Sequence, residues 1–142
     1  MSTLSAAIKA SGSALSAERT RIEVAVSNLS NAGSTRSADG QPYRRRDVIL
    51  TPDQAHSFDA ALGAAATGVK VAGIVEDTQP FQQVHDPSHP DADPETGIVL
   101  MPNVKAEEEM VDLLTAARAY QANLAAVNVI RDMVARALEL GK

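Results

Sequence analysis

The sequence predicts a mostly α protein with a small β module: long N- and C-terminal helices paired as a coiled coil, with short β-strands and loops between them. Three observations predict it. Apolar residues near both ends recur at alternating steps of four and three, the spacing of a narrow helical seam. The seven prolines all fall between residues 42 and 102, where they exclude a long helix. Aromatics are scarce, with two Phe, two Tyr and no Trp, so Ala, Val and Leu must supply the packing, which suits slim helix–helix seams better than a thick core. The expected division is an N-terminal helix over 1–35, a loop-rich β module over 36–102 and a C-terminal helix over 103–142.

In the first helix the series runs Leu4, Ile8, Leu15, Ile22, Ala25, Leu29, with Ser11 and Glu18 at the two positions that break it. Gly12 inside it costs the helix roughly 1 kcal/mol relative to Ala. Asn28, Asn31 and Gly33 offer left-handed conformations that would stop it. The second helix is expected after Pro102, with Asn103 as N-cap and Glu107, Glu108 and Glu109 complementing the helix dipole. Its apolar series is Met110, Leu113, Leu114, Ala117, Tyr120, Leu124, Val127, Ile130, Val134, Ala137 and Leu138, with Arg131, Arg136 and Lys142 toward the far end. At 1.5 Å per residue the two rods would be about 40 and 50 Å long. Helices this long pair lengthwise.

Between them, Val48–Leu50 forms a short apolar run, and Gly68–Glu76 (broken at Gly73), Phe81–His85 and Ile98–Met101 read as short strands. Residues 58–66 read equally as a loop or a short helix.

Little in the chain suggests chemistry. The absence of cysteine rules out disulfides, thiolate catalysis and Cys-ligated zinc. A net charge of −5 gives no attraction for nucleic acid or anionic lipid. No apolar run approaches the ~20 residues of a membrane span, and Met1–Ala10 lacks the features of a Sec signal peptide. His85 and His89 are four apart, but Pro87 and Pro90 forbid the helix that would bring them together. An EF-hand register from Asp91 places Thr96 and Pro102 where Gly and Glu belong. The segment His85–Asp93 therefore reads as a rigid turn. Arg44, Arg45 and Arg46 would face alternate sides of an extended segment and read as a subunit contact or a solvated surface. The Gly63, Gly68, Gly73 spacing is no phosphate loop, and no serine sits in a nucleophile elbow. No catalytic, cofactor or metal residues are expected. On these residues alone, the core of a monomeric helical hairpin, a soluble coiled-coil adaptor and a subunit of a larger assembly all remain open, as does a metal-dependent enzyme built on His85–Asp93.

Four blocks narrow that choice. Ser27-Asn28-Leu29-Ser30-Asn31-Ala32 resembles the signature that ends the first helix in the bacterial flagellar rod and hook family. Pro42-Tyr43-Arg44-Arg45 is the second. The third runs from Gly68-Val69-Lys70-Val71 through Gly73-Ile74-Val75-Glu76-Asp77 to Asp86-Pro87-Ser88-His89-Pro90-Asp91-Ala92-Asp93, and is similar to proximal-rod members. Pro102-Asn103-Val104, Glu109-Met110-Val111-Asp112 and Ala117-Arg118-Ala119-Tyr120-Gln121-Ala122-Asn123 form the fourth. The resemblance implies a structural subunit of the periplasmic basal-body rod, exported by the flagellar type III apparatus without signal cleavage. Its implied partners are copies of itself, other rod proteins and the MS-ring/export-gate adaptor, with no nucleic acid and no membrane insertion. Assembly would then use Leu4, Ile8, Leu15, Ile22, Asn28, Leu29 and Asn31 of the first helix. On the second it would use Met110, Leu114, Tyr120, Gln121, Asn123, Leu124 and Val127. Because the N-terminal stripe is narrow and interrupted, both termini are expected to be largely unfolded in the monomer and to become helical on assembly.

Overall fold

The computed structural model describes residues 2–37, 39–53 and 68–140. Within them lie two helices, α1 (Ser2–Ser30) and α2 (Ala106–Leu140), and four strands, β1 (Arg46–Asp53), β2 (Gly68–Glu76), β3 (Gln82–His85) and β4 (Ile98–Met101). The uncertain stretch 58–66 lies outside the described residues.

The C-terminal end of α1 lies beside the N-terminal end of α2, where Asn28 bonds Glu109, and the helices pack lengthwise and antiparallel. Buried and half-buried positions on α2 include Glu109, Leu113, Ala116, Tyr120, Asn123, Val127, Ile130 and Val134, a strict alternation of four and three. On α1 the fully buried residues are Ala17, Ala25 and Asn28. Small side chains at Ala17 and Ala25 let the elements packed on α1 approach it closely. Strands β1 and β2 form an antiparallel hairpin that packs on α1, so α1 is the middle layer between hairpin and α2.

Four expectations about element ends and breaks are corrected. Helix α1 does not stop through a left-handed residue: the only positive φ angles among the described residues are at Gly40 and Gly97. Instead the last turn tightens. The Asn31 N–H is shared between the Ser27 and Asn28 carbonyls at 3.1 and 3.2 Å, Ala32 N–H reaches Leu29, and the Asn31 side-chain amide donates to the Ser27 carbonyl at 2.8 Å. Asn103 does not cap α2. Its carbonyl oxygen accepts the Arg45 N–H at 2.8 Å and its amide faces Asp77 and Gln79; the Lys105 carbonyl accepts the first helical bond, from Glu109. The acidic first turn is present, but the last described turn of α2 holds no basic residue, so Arg131 and Arg136 sit too early to reach it, and Lys142 lies outside the described residues. Gly73 does not break its strand: pairing steps from Ile49↔Gly73 to Leu50↔Val71, leaving Ala72 as a β-bulge.

Strands β3 and β4 pair antiparallel from Gln82↔Met101 to His85↔Ile98. The segment between them is a hydrogen-bonded turn. Asp86 Oδ1 accepts from the Ser88 N–H and hydroxyl, which together hold its carboxyl below the usual range. Asp93 Oδ1 accepts from the N–H groups of Glu95 and Thr96. Asp91 ties the turn to the start of the module through Thr35 at 2.8 Å and Arg36 at 2.7 Å. At its end Gly97 has φ +65°, and a Cβ there would lie 2.9 Å from the His85 ring and 3.0 Å from Pro87. Gly97→Ala should therefore destabilise the module by about 1–3 kcal/mol, read as a lower urea midpoint.

Candidate assembly interface

Three consecutive arginines lead from the first loop into β1, and the extended backbone sends them different ways. The Arg44 guanidinium stacks 4.3 Å above the Phe81 ring, and Arg46 points outward toward Glu76 at 3.5 Å. Arg45 points inward. Its Nε pairs with Glu109, and its other nitrogens reach Asp47 at 2.6 Å and Asp112 at 3.5 Å. Burial acts to lower the Arg45 pKa, but the hydrogen bonds and charges of Glu109 and Asp47 outweigh it and hold the net pKa above the ordinary arginine value. The expectation of a surface or subunit contact is thus corrected for Arg45.

Asn28 completes the junction. It is 1% exposed. Its Nδ2 donates to the Arg46 carbonyl at 2.8 Å and to Glu109 Oε2 at 2.9 Å, while Oδ1 accepts from the Arg46 N–H and the Tyr43 hydroxyl, both at 3.0 Å. Those four bonds use the full capacity of a side-chain amide. Glu109 is 2% exposed and bonded to both Asn28 and Arg45. Helix α1, the entry to β1 and helix α2 therefore meet at one satisfied polar cluster. In the sequence Glu109 reads as a dipole partner and as part of the fourth resemblance block. Its role here has no local signal, since Arg45 lies 64 positions away.

The other residues expected at an assembly face fall into two groups. Leu4, Leu15, Ile22 and Leu29 are half-buried along α1, and Asn31 is spent on the helix end, whereas Ile8 is exposed. On α2, Tyr120, Asn123 and Val127 lie on the seam with α1. Met110, Leu114, Gln121 and Leu124 face outward, with Leu114 59% and Leu124 45% exposed. Further outward apolar side chains extend this surface: Val111, Val129, Met133 and Leu138 on α2, and Val26 on α1. The single stripe missed most of them because they lie on other faces of the same helices. No helix among the described residues is long and apolar enough to cross a membrane.

Comparison with known proteins points the same way. Residues 95–140, which include β4 and all of α2, match the family model described as flagellar basal body rod FlgEFG protein C-terminal. The chain is 44% identical over 131 residues to the flagellar basal-body rod protein FlgC of Salmonella typhimurium, covering 92% of each. It is 43% identical over 146 residues to that of Bacillus subtilis, covering 95% of this chain and 96% of the relative. For Borreliella burgdorferi the figures are 35% over 147 residues, 96% and 97%. With near-complete coverage across such distant bacteria, this chain belongs to the FlgC family of flagellar basal-body rod proteins.

Proposed function

We propose that the chain polymerises through the outward faces of its terminal helices into the proximal part of the flagellar rod, forming a drive shaft that transmits torque for motility. The observation that carries this reading is the apolar surface left on α2 after its seam with α1 is closed, from Met110 and Leu114 to Met133 and Leu138. Side chains of this kind, spread around a long helix, fit burial between neighbouring helices. Heterologous contacts that do not close into a ring generate an open helical polymer, and helices bundled as coiled coils across subunits resist twisting. The chain's own antiparallel pair would be one element of that bundle. In this division 1–35 and 103–142 build the shaft and 36–102 is the module it carries.

The neighbours would be further copies, other rod proteins and the MS-ring/export-gate adaptor. Delivery to the periplasm would use the flagellar type III apparatus with the N-terminus left intact. Export favours ends that fold late, and the Gly12-containing start of α1 suits that requirement. The mechanism needs no covalent step and no cofactor.

The chain has no cysteine, so single cysteines report cleanly. Leu114→Cys or Met133→Cys, labelled with a thiol-specific photo-crosslinker and irradiated in purified basal bodies, should yield adducts with neighbouring copies or with other rod proteins. The same variants as dilute subunits should stay monomeric. Uncross-linked subunits in intact rods at every outward apolar position would refute the interface.

A further inference from the structure

The β1–β2 hairpin is fastened to α1 at two places. At its open end, the Asn28 amide pairs reciprocally with both backbone groups of Arg46, donating to its carbonyl at 2.8 Å and accepting its N–H at 3.0 Å. This imitates a rung of a β-ladder. Near the other end, Ser13 Oγ accepts the Val69 N–H at 3.0 Å while donating to the Ala10 carbonyl at 2.8 Å. Gly68 makes that second seat possible: a Cβ there would lie 2.7 Å from Ser13 Oγ, although its backbone conformation would itself admit any residue.

The lengths of the two elements match. Fifteen helical residues from Ser13 to Asn28 rise about 22 Å. Val69 pairs with Pro52, and the strand from Arg46 to Pro52 covers about 20 Å. Extended, residues 13–28 would span about 50 Å. Both seats close together only when that segment is α-helical. Ser13 also lies in the Ser11-Gly12-Ser13 stretch, which is poor in helix propensity. A lone two-stranded hairpin is itself marginal in water.

We infer that the hairpin is a splint for α1: in the isolated subunit it holds residues 13–28 helical, and residues 2–12, beyond its seats, are left to order on assembly. The boundary for folding on assembly is thereby moved from the end of α1 to about Ser13. The splint belongs to the single subunit and does not depend on which proteins surround it.

Hydrogen exchange on dilute, verified monomer tests it. Amides of residues 14–28 should exchange at least about tenfold more slowly than those of residues 5–12. Ser13→Ala, which alters no strand residue, and Gly68→Val, which blocks the seat, should each remove most of that difference, while the β3–β4 ladder keeps its protection. Equal, fast exchange across 2–28 beside a protected β1–β2 ladder would overturn the splint and leave the polymerisation reading standing. Protection of 14–28 that survives both substitutions would overturn it too, because α2 would then be the support. Protection of 2–12 equal to that of 14–28 would show that α1 needs no splint.

Discussion

Leu124→Asp should leave the isolated subunit as stable as wild type and leave cells without rods. Leu124 is 45% exposed and lies off the seam that α2 makes with α1. In the single chain the new carboxylate would stay in water, and surface changes of this kind shift stability by about 0.5 kcal/mol or less. In a rod the same position would be enclosed by neighbouring helices. An unpaired charge there costs several kcal/mol, and the penalty recurs at every subunit, because each adds by the same contacts. The urea midpoint of the purified chain should therefore be unchanged, while a deletion strain supplied with the variant swims no better than the deletion itself. Ile22→Asp provides the contrast. Ile22 is half-buried on α1, so that variant should lose motility and some subunit stability together. Normal swimming with Leu124→Asp would remove Leu124 from the interface. A lowered midpoint would mean that it packs within the subunit.

The two helices and three of the four strands were legible because each rests on a local pattern. Alternating fours and threes mark α1 and α2, and Val69, Val71 and Val75 mark β2. Ends were harder to read, because an Asn at a helix boundary has several uses. Asn31 caps the last carbonyls of α1 from within, and Asn103 serves the Arg45 backbone. Both choices depend on what lies across the fold. The same holds for β1, where the apolar run Val48–Leu50 gave the centre, while its reach from Arg46 to Asp53 is set by pairing with β2.

At the site, an apolar stripe shows that a face is wanted but not who wants it. Tyr120 and Val127 meet the chain's own α1, whereas Met110, Leu114 and Leu124 do not, although all five lie in the same apolar series. Asn28 stood out through a family signature, but its partners Arg46 and Glu109 lie 18 and 81 positions away. No window along the chain contains that geometry. The arginine run was misread for a similar reason: only the direction of the extended backbone separates Arg45 from its neighbours.

Glu109→Ala should have the largest effect of any single change at the junction of α1, β1 and α2. Removing the carboxylate takes from Arg45 its most buried partner and from Asn28 one of its acceptors. Arg45 keeps Asp47 and Asp112, but these are about half exposed and screened by water. Breaking a buried pair from one side typically destabilises by about 3–5 kcal/mol, a large share of a small domain's stability. Arg45→Met should do comparable damage, since it strands a carboxylate that is 2% exposed. The double variant Arg45→Met with Glu109→Leu leaves neither charge behind. It should recover much of the loss, because apolar groups of similar size often replace a buried ion pair at little net change. The chain has no Trp and two Tyr, and Tyr43 sits at the junction, so tyrosine fluorescence during urea unfolding reports on it directly. A double-mutant cycle from the midpoints of Arg45→Met, Glu109→Leu and their double variant should show a coupling of about 1–3 kcal/mol between Arg45 and Glu109. Additive losses, with the double variant as unstable as the sum of the singles, would mean that the cluster packs by shape and that the charge pair contributes nothing of its own.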